Sequence, residues 1–217
     1  MVANPVSIDK HRAALVFIEF QNEWLGEDGV LFQHLVQDKA PFRKAVSNAE
    51  QILTTAREEG WTIAHAGLDL RHDPHYRLFA GGSNVLGLRS AIPRAGTWIG
   101  QGAEFSPPFV PRQDEFVTQG RSGASVLKHS TLDPFLRNNR IDTLVLMGFA
   151  THICVESTLR EAHDLGVDCW IVTDACAAFT EALHDHVVEH VLHHFGAGID
   201  TATLTRHLKG EIPACSS

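Results

Sequence analysis

Short apolar runs alternate along the chain with segments whose apolar residues recur at helical spacing. The apolar runs predict six strands, at residues 13–20, 61–67, 115–119, 142–148, 167–175 and 198–204. The periodic segments predict helices near residues 42–59, 131–138, 152–165 and 181–195. Apolar strands joined by crossover helices are typical of a parallel sheet that is covered on both faces. The pattern therefore predicts a doubly wound α/β fold with a mostly parallel six-stranded sheet in a Rossmann-like three-layer arrangement.

One long segment, residues 68–113, interrupts this alternation. It is rich in Gly and Pro and has no sustained period. A loop of this length inside a compact domain is usually functional, and the aromatic residues Trp98, Phe105 and Phe109 favour a packed rather than a disordered segment. We therefore expect residues 1–217 to form a single domain in which this loop walls the active site, since one core can serve a chain of this length.

Composition and charge narrow the class of partner. The chain is 44% hydrophobic and 20% charged, which is typical of a globular protein. Its formal net charge is -8, and no segment concentrates the basic residues, which disfavours nucleic acid and anionic membranes as partners. The apolar run at 13–20 lacks the length of a membrane span and the pattern of a signal peptide. We expect a cytoplasmic protein with a small-molecule substrate.

The four cysteines show no CxxC spacing, so neither a disulfide framework nor a zinc ribbon is indicated. Cys169 lies within a predicted strand and Cys215 in the C-terminal tail, where a small buried hydrophobe and a tail residue are the simplest interpretations. Cys176 follows the apolar run ending in "VTDA" and is a weaker candidate for a pocket wall. Cys154 has the most informative context.

Three residues of chemical interest follow the ends of predicted strands: Glu19, Arg121 and Cys154. In open α/β sheets ligands bind beyond the carboxyl ends of the strands, so these side chains should share one crevice. Cys154 stands at the predicted N-terminus of a helix that Thr151 can cap and Gly166 can end. Such a position lowers a thiol pKa and favours a nucleophile, although a cysteine taken alone fits a buried hydrophobe equally well.

Four blocks in order extend the argument over nearly the whole chain: "ALVFIEFQNEW", "GTWIGQGAEF", "GRSGASVLKHSTLDPFLRNNRIDTLVLMGFATHICVESTLREAHDLG" and "VTDACAA". Their series resembles the isochorismatase-like cysteine hydrolases, a family that includes nicotinamidase, N-carbamoylsarcosine amidohydrolase, biuret hydrolase and ureidoacrylate amidohydrolase. The resemblance implies a catalytic triad of Glu19, Arg121 and Cys154. It also implies hydrolysis of a C–N bond in a small amide, ureido or carbamoyl substrate through a thioester on the cysteine.

The same resemblance implies further features of the site and the assembly. Backbone N–H groups of Ala150 and Cys154 would form the oxyanion hole, and the peptide bond between Phe149 and Ala150 would be cis. Relatives are commonly homodimers or homotetramers, which is our expectation here. The candidate substrate-binding residues, each of which could equally serve ordinary packing, are Trp24, Phe32, Trp98, Phe149 and His152.

Two departures from the family pattern leave alternatives open. Glu19 stands where Asp is usual, and Arg121 stands where Lys is usual, with Leu127 and Ser130 in place of Phe and Thr in the following block. Arginine keeps its proton, so it can stabilise a thiolate but cannot release a proton as a lysine could. Lys128 is a nearby cation, but its spacing points it outward. The alternatives are an altered relative that binds a small ligand or a partner, and a vinyl-ether hydrolase of the isochorismatase type, whose members lack the cysteine.

The 14 histidines raise the question of a metal site. His186, His190 and His194 recur at helical spacing, but the apolar stripe of the same helix leaves them on its solvated face. The nicotinamidase zinc site uses an Asp-x-His pattern, and Asp69 and His72 are one residue too far apart for it. We expect neither a metal nor another cofactor.

Overall fold

The strands form a single parallel sheet. A computed structural model describes residues 8–26, 28–83 and 86–211 of the chain. The strands run in the order β3-β2-β1-β4-β5-β6, and each adjacent pair is parallel. Their bounds are β1 Ala13–Ile18, β2 Ile63–Ala66, β3 Phe116–Val117, β4 Thr143–Phe149, β5 Asp168–Ala177 and β6 Ala197–Ile199. The predicted six-stranded α/β fold is confirmed, and the sheet is wholly parallel rather than mostly so.

Helices cover the sheet on both sides. In the part of the chain described they are α1 Asn22–Leu25, α2 Val30–His34, α3 Lys39–Glu58, α4 Leu88–Ala95, α5 Leu132–Asn138, α6 Glu156–Asp164, α7 Glu181–His190, α8 Leu192–Phe195 and α9 Thr201–Leu208. Helix α3 packs against β5 and α9, whereas α6 packs against β5 and α8. Right-handed crossovers place helices on opposite faces when the strand order reverses, as it does here between β1 and β4.

The burial of the central strands and of the longest helix explains why the pattern of apolar residues predicted them. All six residues of β1 and all seven of β4 are buried, which explains their continuous apolar runs. Helix α3 buries one stripe, formed by Phe42, Ala45, Ala49, Ile52, Leu53, Thr55 and Ala56. Its opposite face is polar, as helical periodicity requires of a surface helix.

The prediction of a last strand at residues 198–204 is wrong in its second half. Strand β6 ends at Ile199, and α9 begins at Thr201. The side chain of Asp200 accepts a hydrogen bond from the Thr203 N–H at 2.7 Å and so caps the helix. Leu204 and Leu208 are then buried at helical spacing, a packing that outweighs the β-branched composition of the segment.

Two predicted helices are interrupted. The segment 181–195 is divided into α7 and α8 at Val191, whose φ is -113°. The segment 152–165 begins with a wider turn of π-helical type, Thr151–Val155, before α6 starts. Gly166 follows α6 with φ +75°, in the left-handed conformation that commonly ends a helix.

Residues 68–83 and 86–113 pack against the rest of the domain and contain short helices. Helix α4 lies within this segment, together with 3₁₀ turns at Arg77–Gly82 and Gln101–Ala103. Trp98 and Phe109 are buried and Phe105 is half-buried. The side chain of Gln21 links two distant parts of the segment. Its Nε2 donates to the carbonyls of Leu68 and Ala103, and its Oε1 accepts from the Leu68 N–H. The prediction of a packed segment is confirmed, but α4 was not predicted.

Two surface properties complete the description. His186, His190 and His194 are exposed, as predicted from their helical spacing. Among the helices of the described residues, none combines the length and hydropathy needed to cross a membrane.

Candidate active site

The candidate site lies where the strand order reverses, at the carboxyl ends of the adjacent strands β1 and β4. Glu19 follows β1 directly, with a positive φ of 60°. Cys154 lies in the π-helical turn that follows β4. Arg121 comes from the loop after the edge strand β3, and that loop is tied to α6 by a hydrogen bond from the Val126 N–H to Thr158 Oγ1 at 3.0 Å. The structure thus brings the three predicted side chains together.

Glu19, Arg121 and Cys154 form a closed triangle of contacts. The thiol Sγ of Cys154 donates to Glu19 Oε1 at 3.1 Å. Arg121 Nη2 lies 2.6 Å from the same carboxylate oxygen and 3.0 Å from Sγ. All three side chains are buried, with 4 to 6% of each residue exposed. A thiol, a carboxylate and a permanent cation therefore lie in contact with one another where little water reaches them.

Trp24 orients the carboxylate. Its indole Nε1 donates to Glu19 Oε2 at 2.8 Å, so both oxygens of Glu19 are engaged before any substrate arrives. We predicted Trp24 only as a pocket wall and missed this contact. The available signal was its position five residues after Glu19, on the short helix α1 that begins just beyond β1.

Arg121 is fixed by its own loop. Its Nε donates to the Gly123 carbonyl at 3.0 Å and its Nη2 to the Ala124 carbonyl at 2.9 Å, while Nη1 is buried without a partner among the described residues. Burial acts to lower the pKa of the guanidinium, but the Glu19 carboxylate and the Cys154 thiol outweigh it, and the pKa is raised. Lys128 is exposed, which is the outward orientation predicted for it.

The surroundings of Cys154 favour the protonated form of its thiol. Burial raises the pKa of Cys154, the negative charge of Glu19 raises it further, and Arg121 opposes both without prevailing. Our expectation that the helix N-terminus lowers this pKa is therefore wrong for the resting site. The N–H groups of Ile153, Cys154 and Val155 all point at the Ala150 carbonyl, at 3.0, 3.1 and 3.4 Å, and not at the sulfur.

The same turn bears on the predicted oxyanion hole. The peptide bond between Phe149 and Ala150 is cis. The Cys154 N–H already donates to the Ala150 carbonyl, so an oxyanion would have to share that donor. Thr151 does not cap the helix, because its hydroxyl pairs with His184 Nδ1 at 2.9 Å.

A cavity of about 800 Å³ opens onto the three residues. Trp24 and Trp98 line it, as predicted for substrate-binding residues, together with residues 86–89, 91, 92, 94 and 95 of the long segment. Residues 30, 31, 34 and 35, in and just after α2, complete the wall. The sequence predicts that segment 68–113 walls the active site, but it does not predict helix α4 or the residues near α2, because short helices carry no sustained period.

Three other candidate substrate-binding residues lie away from this cavity. Phe149 is fully buried and stacks on Phe42 with ring centroids 4.2 Å apart. Phe32 packs against the other side of Phe42 and lines a separate pocket. His152, the residue after Thr151, points its ring edge-on against Phe179, which places it behind the cavity wall. These three side chains are not among the described residues that line the cavity.

The described residues contain no cluster of three or more His, Cys, Asp or Glu side chains placed to hold a metal ion. Asp69, half of the Asp69–His72 pair considered above, is paired with Arg71, whose Nη2 lies 2.6 Å from its carboxylate. Cys169 is buried in β5, Cys176 is buried near its end, and Cys215 lies outside the described residues.

Comparison with known proteins places this site in a family. The model of the isochorismatase domain matches residues 13–203. The chain belongs to the isochorismatase family. Among curated relatives, the isochorismatase family protein YwoC of Bacillus subtilis is 29% identical over 210 residues, covering 95% of this chain and 99% of YwoC. Ureidoacrylate amidohydrolase RutB of Variovorax paradoxus is 27% identical over 189 residues, covering 79% and 71% of the two chains.

Two further proteins match this chain over part of the sequence or in fold. Nicotinamidase of Escherichia coli is 36% identical over 69 residues, which cover 32% of this chain and 30% of that enzyme. A crystal structure of a cysteine hydrolase from Pseudomonas syringae superposes with a TM-score of 0.79 at 19% identity, covering 96% of this chain and 99% of that one. At this identity the superposition establishes the fold alone.

Proposed function

We propose that this family member is a cysteine hydrolase that cleaves the C–N bond of a small-molecule amide through a thioester on Cys154. The observation that carries the proposal is the hydrogen bond from the Cys154 thiol to Glu19, with Arg121 Nη2 in contact with both groups. A buried cysteine serving only as packing has no need of a carboxylate and a guanidinium, whose burial costs free energy unless they are paired.

The first half of the reaction forms the thioester. Glu19 accepts the thiol proton as Sγ attacks the amide carbonyl carbon, and the carbonyl oxygen becomes the oxyanion of a tetrahedral intermediate. The intermediate collapses when Glu19 returns that proton to the departing nitrogen, the C–N bond breaks, and ammonia or an amine leaves. Arg121 keeps its proton throughout and stabilises the negative charge as it moves from Glu19 to sulfur.

The second half hydrolyses the thioester. Glu19, again a carboxylate, takes a proton from a water that attacks the thioester carbonyl, and the C–S bond breaks. The proton passes to the thiolate, which restores the resting thiol, and a carboxylic or carbamic acid leaves. A backbone donor to the oxyanion in both halves, for which the Ala150 N–H is the candidate, contributes on the order of 10²-fold in rate.

The curated relatives agree with an amide substrate, because two of them are named ureidoacrylate amidohydrolase and nicotinamidase. Proton transfer to a vinyl ether would use an acid alone, whereas here a thiol donates a hydrogen bond to that acid. The contact between Cys154 and Glu19 therefore favours nucleophilic attack on a carbonyl over simple protonation.

The test is a substrate screen with a matched inactive variant. Ammonia release is measured for wild type and Cys154→Ala with biuret, ureido acids, carbamoyl amino acids, nicotinamide and aliphatic and aromatic amides. We expect turnover of at least one amide that Cys154→Ala does not support, and a covalent acyl adduct on the Cys154 peptide when the reaction is quenched with acid. Absence of both across the panel would favour a ligand-binding relative without catalysis.

A further inference from the structure

The cavity above Cys154 is apolar over most of its wall. Leu31, Phe79, Ile92 and Trp98 line it, from α2, the first 3₁₀ turn, α4 and the segment after α4. Leu86 and Leu88 also line it, although 75% and 37% of their surfaces are exposed. Exposed leucines at the rim of a cavity indicate that its occupant also presents apolar surface.

The fully buried polar side chains that line the cavity mostly have partners within the protein. The carboxylate of Glu19 is saturated by Trp24, Arg121 and Cys154. Among the described residues lining the cavity, the buried side-chain N and O atoms without a partner are Thr97 Oγ1 and Arg121 Nη1. His34, Arg89, Arg94 and Ser122 also line the cavity, and the first three are exposed. The wall at Leu31, Phe79 and Ile92 offers no polar side-chain atom, so a substrate that is polar along its whole length would lose water there without gaining partners.

We propose that the substrate is an amide carrying an extended apolar body, such as a hexyl or benzyl group, which fills the cavity between α2 and α4. This inference rests on the proposed hydrolase function and gives its substrate class. The scissile amide lies against Cys154 and Arg121, and the apolar body lies against Leu31, Phe79 and Ile92. Fully polar ureido compounds such as biuret are disfavoured, because they would lose water without gaining partners.

Binding to the inactive variant tests the proposal without requiring turnover. The dissociation constants of propanamide, hexanamide and 4-methoxybutanamide are measured by calorimetry with Cys154→Ala. Each buried methylene strengthens binding by up to about fourfold, so we expect hexanamide to bind at least tenfold more tightly than propanamide. The ether, which has the same length as hexanamide, should bind more weakly than hexanamide because it buries an oxygen without a partner.

A cavity-filling variant locates the apolar body. Ala91 is exposed on α4 and lines the cavity, so Ala91→Trp in the Cys154→Ala background fills the space with little strain on the core. We expect it to abolish the preference for hexanamide and to leave propanamide binding unchanged. Ala95→Trp, at a second exposed lining position, repeats the test should Ala91→Trp unfold. Ala182→Trp, exposed on α7, is the matched control and should keep the preference.

The outcomes separate this inference from the proposed function. A preference for hexanamide in binding, together with its turnover by wild type, supports both. The same preference without turnover of any amide supports the cavity assignment and overturns the hydrolase. Turnover of biuret or propanamide with equal binding across the series overturns the substrate class and leaves the hydrolase standing. Failure of all three amides to bind also overturns the substrate class.

Discussion

The thiol of Cys154 donates to the carboxylate of Glu19, 135 residues away in the chain, at 3.1 Å. The contact joins residues that follow β1 and β4, the two strands between which the strand order reverses. It has two opposite effects, because the carboxylate is placed to accept the thiol proton and its charge also raises the thiol pKa. Under the proposed mechanism, the cysteine is protonated in the resting site and gives its proton to Glu19 as it attacks a carbonyl carbon.

Replacement of Cys154 tests the nucleophile. Cys154→Ala and Cys154→Ser should each lower kcat/KM by about 10³-fold or more, because neither side chain can form the thioester under this carboxylate. The fold should be retained, because the thiol is small and because Glu19 and Arg121 keep their ion pair with each other when it is removed. Steady-state kinetics and a thermal melt measure the two effects. Substantial turnover by Cys154→Ala would end the nucleophile assignment.

Glu19→Gln should make the Cys154 thiol more reactive and at the same time abolish amide hydrolysis. The charge of Glu19 raises the pKa of Cys154 and Arg121 lowers it, so removing the charge leaves Arg121 unopposed and the thiol pKa falls. We expect faster alkylation of Cys154 by iodoacetamide at pH 7 than in wild type, together with loss of amide hydrolysis. Alkylation rate against pH is the measurement, with peptide mapping to exclude Cys169 and Cys176. Slower alkylation in this variant would contradict the charge argument.

Trp24→Phe removes the indole hydrogen bond to Glu19 Oε2 while keeping an aromatic wall in the cavity. Without this hydrogen bond the Glu19 carboxylate is less well oriented. We therefore expect kcat to fall by about tenfold with little change in KM. Trp61→Phe is the matched control, because its Nε1 donates to the Leu208 carbonyl, far from the site. Both variants should lose some stability, but only Trp24→Phe should lose kcat. An equal loss of kcat in the two would point to a general structural effect.

The parts of the site that could be read from sequence are those that topology fixes. Glu19 and Cys154 follow fully apolar strands, and the carboxyl ends of parallel strands share one edge, so their meeting was predictable. Arg121 was placed in the same crevice because it follows the predicted strand 115–119, of which Phe116–Val117 form β3. Its part in a triad came from the resemblance. The direction of the thiol pKa was not predictable, because it depends on burial and on a carboxylate distant in sequence.

The wall of the cavity could not be read for a different reason. Helix α4 is eight residues long, follows Gly87 and contains Pro93, so its sequence resembles a loop. Its place over Cys154 is set by non-local bonds, such as the contact of the Trp98 N–H with Glu23 Oε1 at 2.9 Å. The same dominance of packing over local preference explains why 201–208 forms a helix and not a strand.

The departure at Arg121 gives a charge test. Arg121→Lys should keep substantial activity, because the positive charge remains although the two bonds to the Gly123 and Ala124 carbonyls lose their fork geometry. Arg121→Ala should cost far more, since Glu19 and the thiolate are left uncompensated, and the pH–rate profile should move to higher pH as the thiol pKa rises. Kinetics against pH measure both. If Arg121→Ala kept a near-normal rate and an unshifted pH–rate profile, a group other than Arg121 would compensate the negative charge of Glu19 and the thiolate.

A buried network away from the site predicts how stability depends on pH. Burial acts to raise the pKa of Glu115, but hydrogen bonds from Arg57, the Arg112 N–H and His65 outweigh it and lower the pKa to about 2. Because the folded pKa lies below the ordinary 4.5, this stabilisation is complete above pH 4.5 and is lost as the pH falls toward 2. Glu115→Gln should therefore show a smaller loss of urea midpoint than wild type between pH 6 and pH 3. Glu104→Gln, at an exposed carboxylate, should behave as wild type. Equal pH dependence in all three proteins would show that Glu115 is not the titrating group.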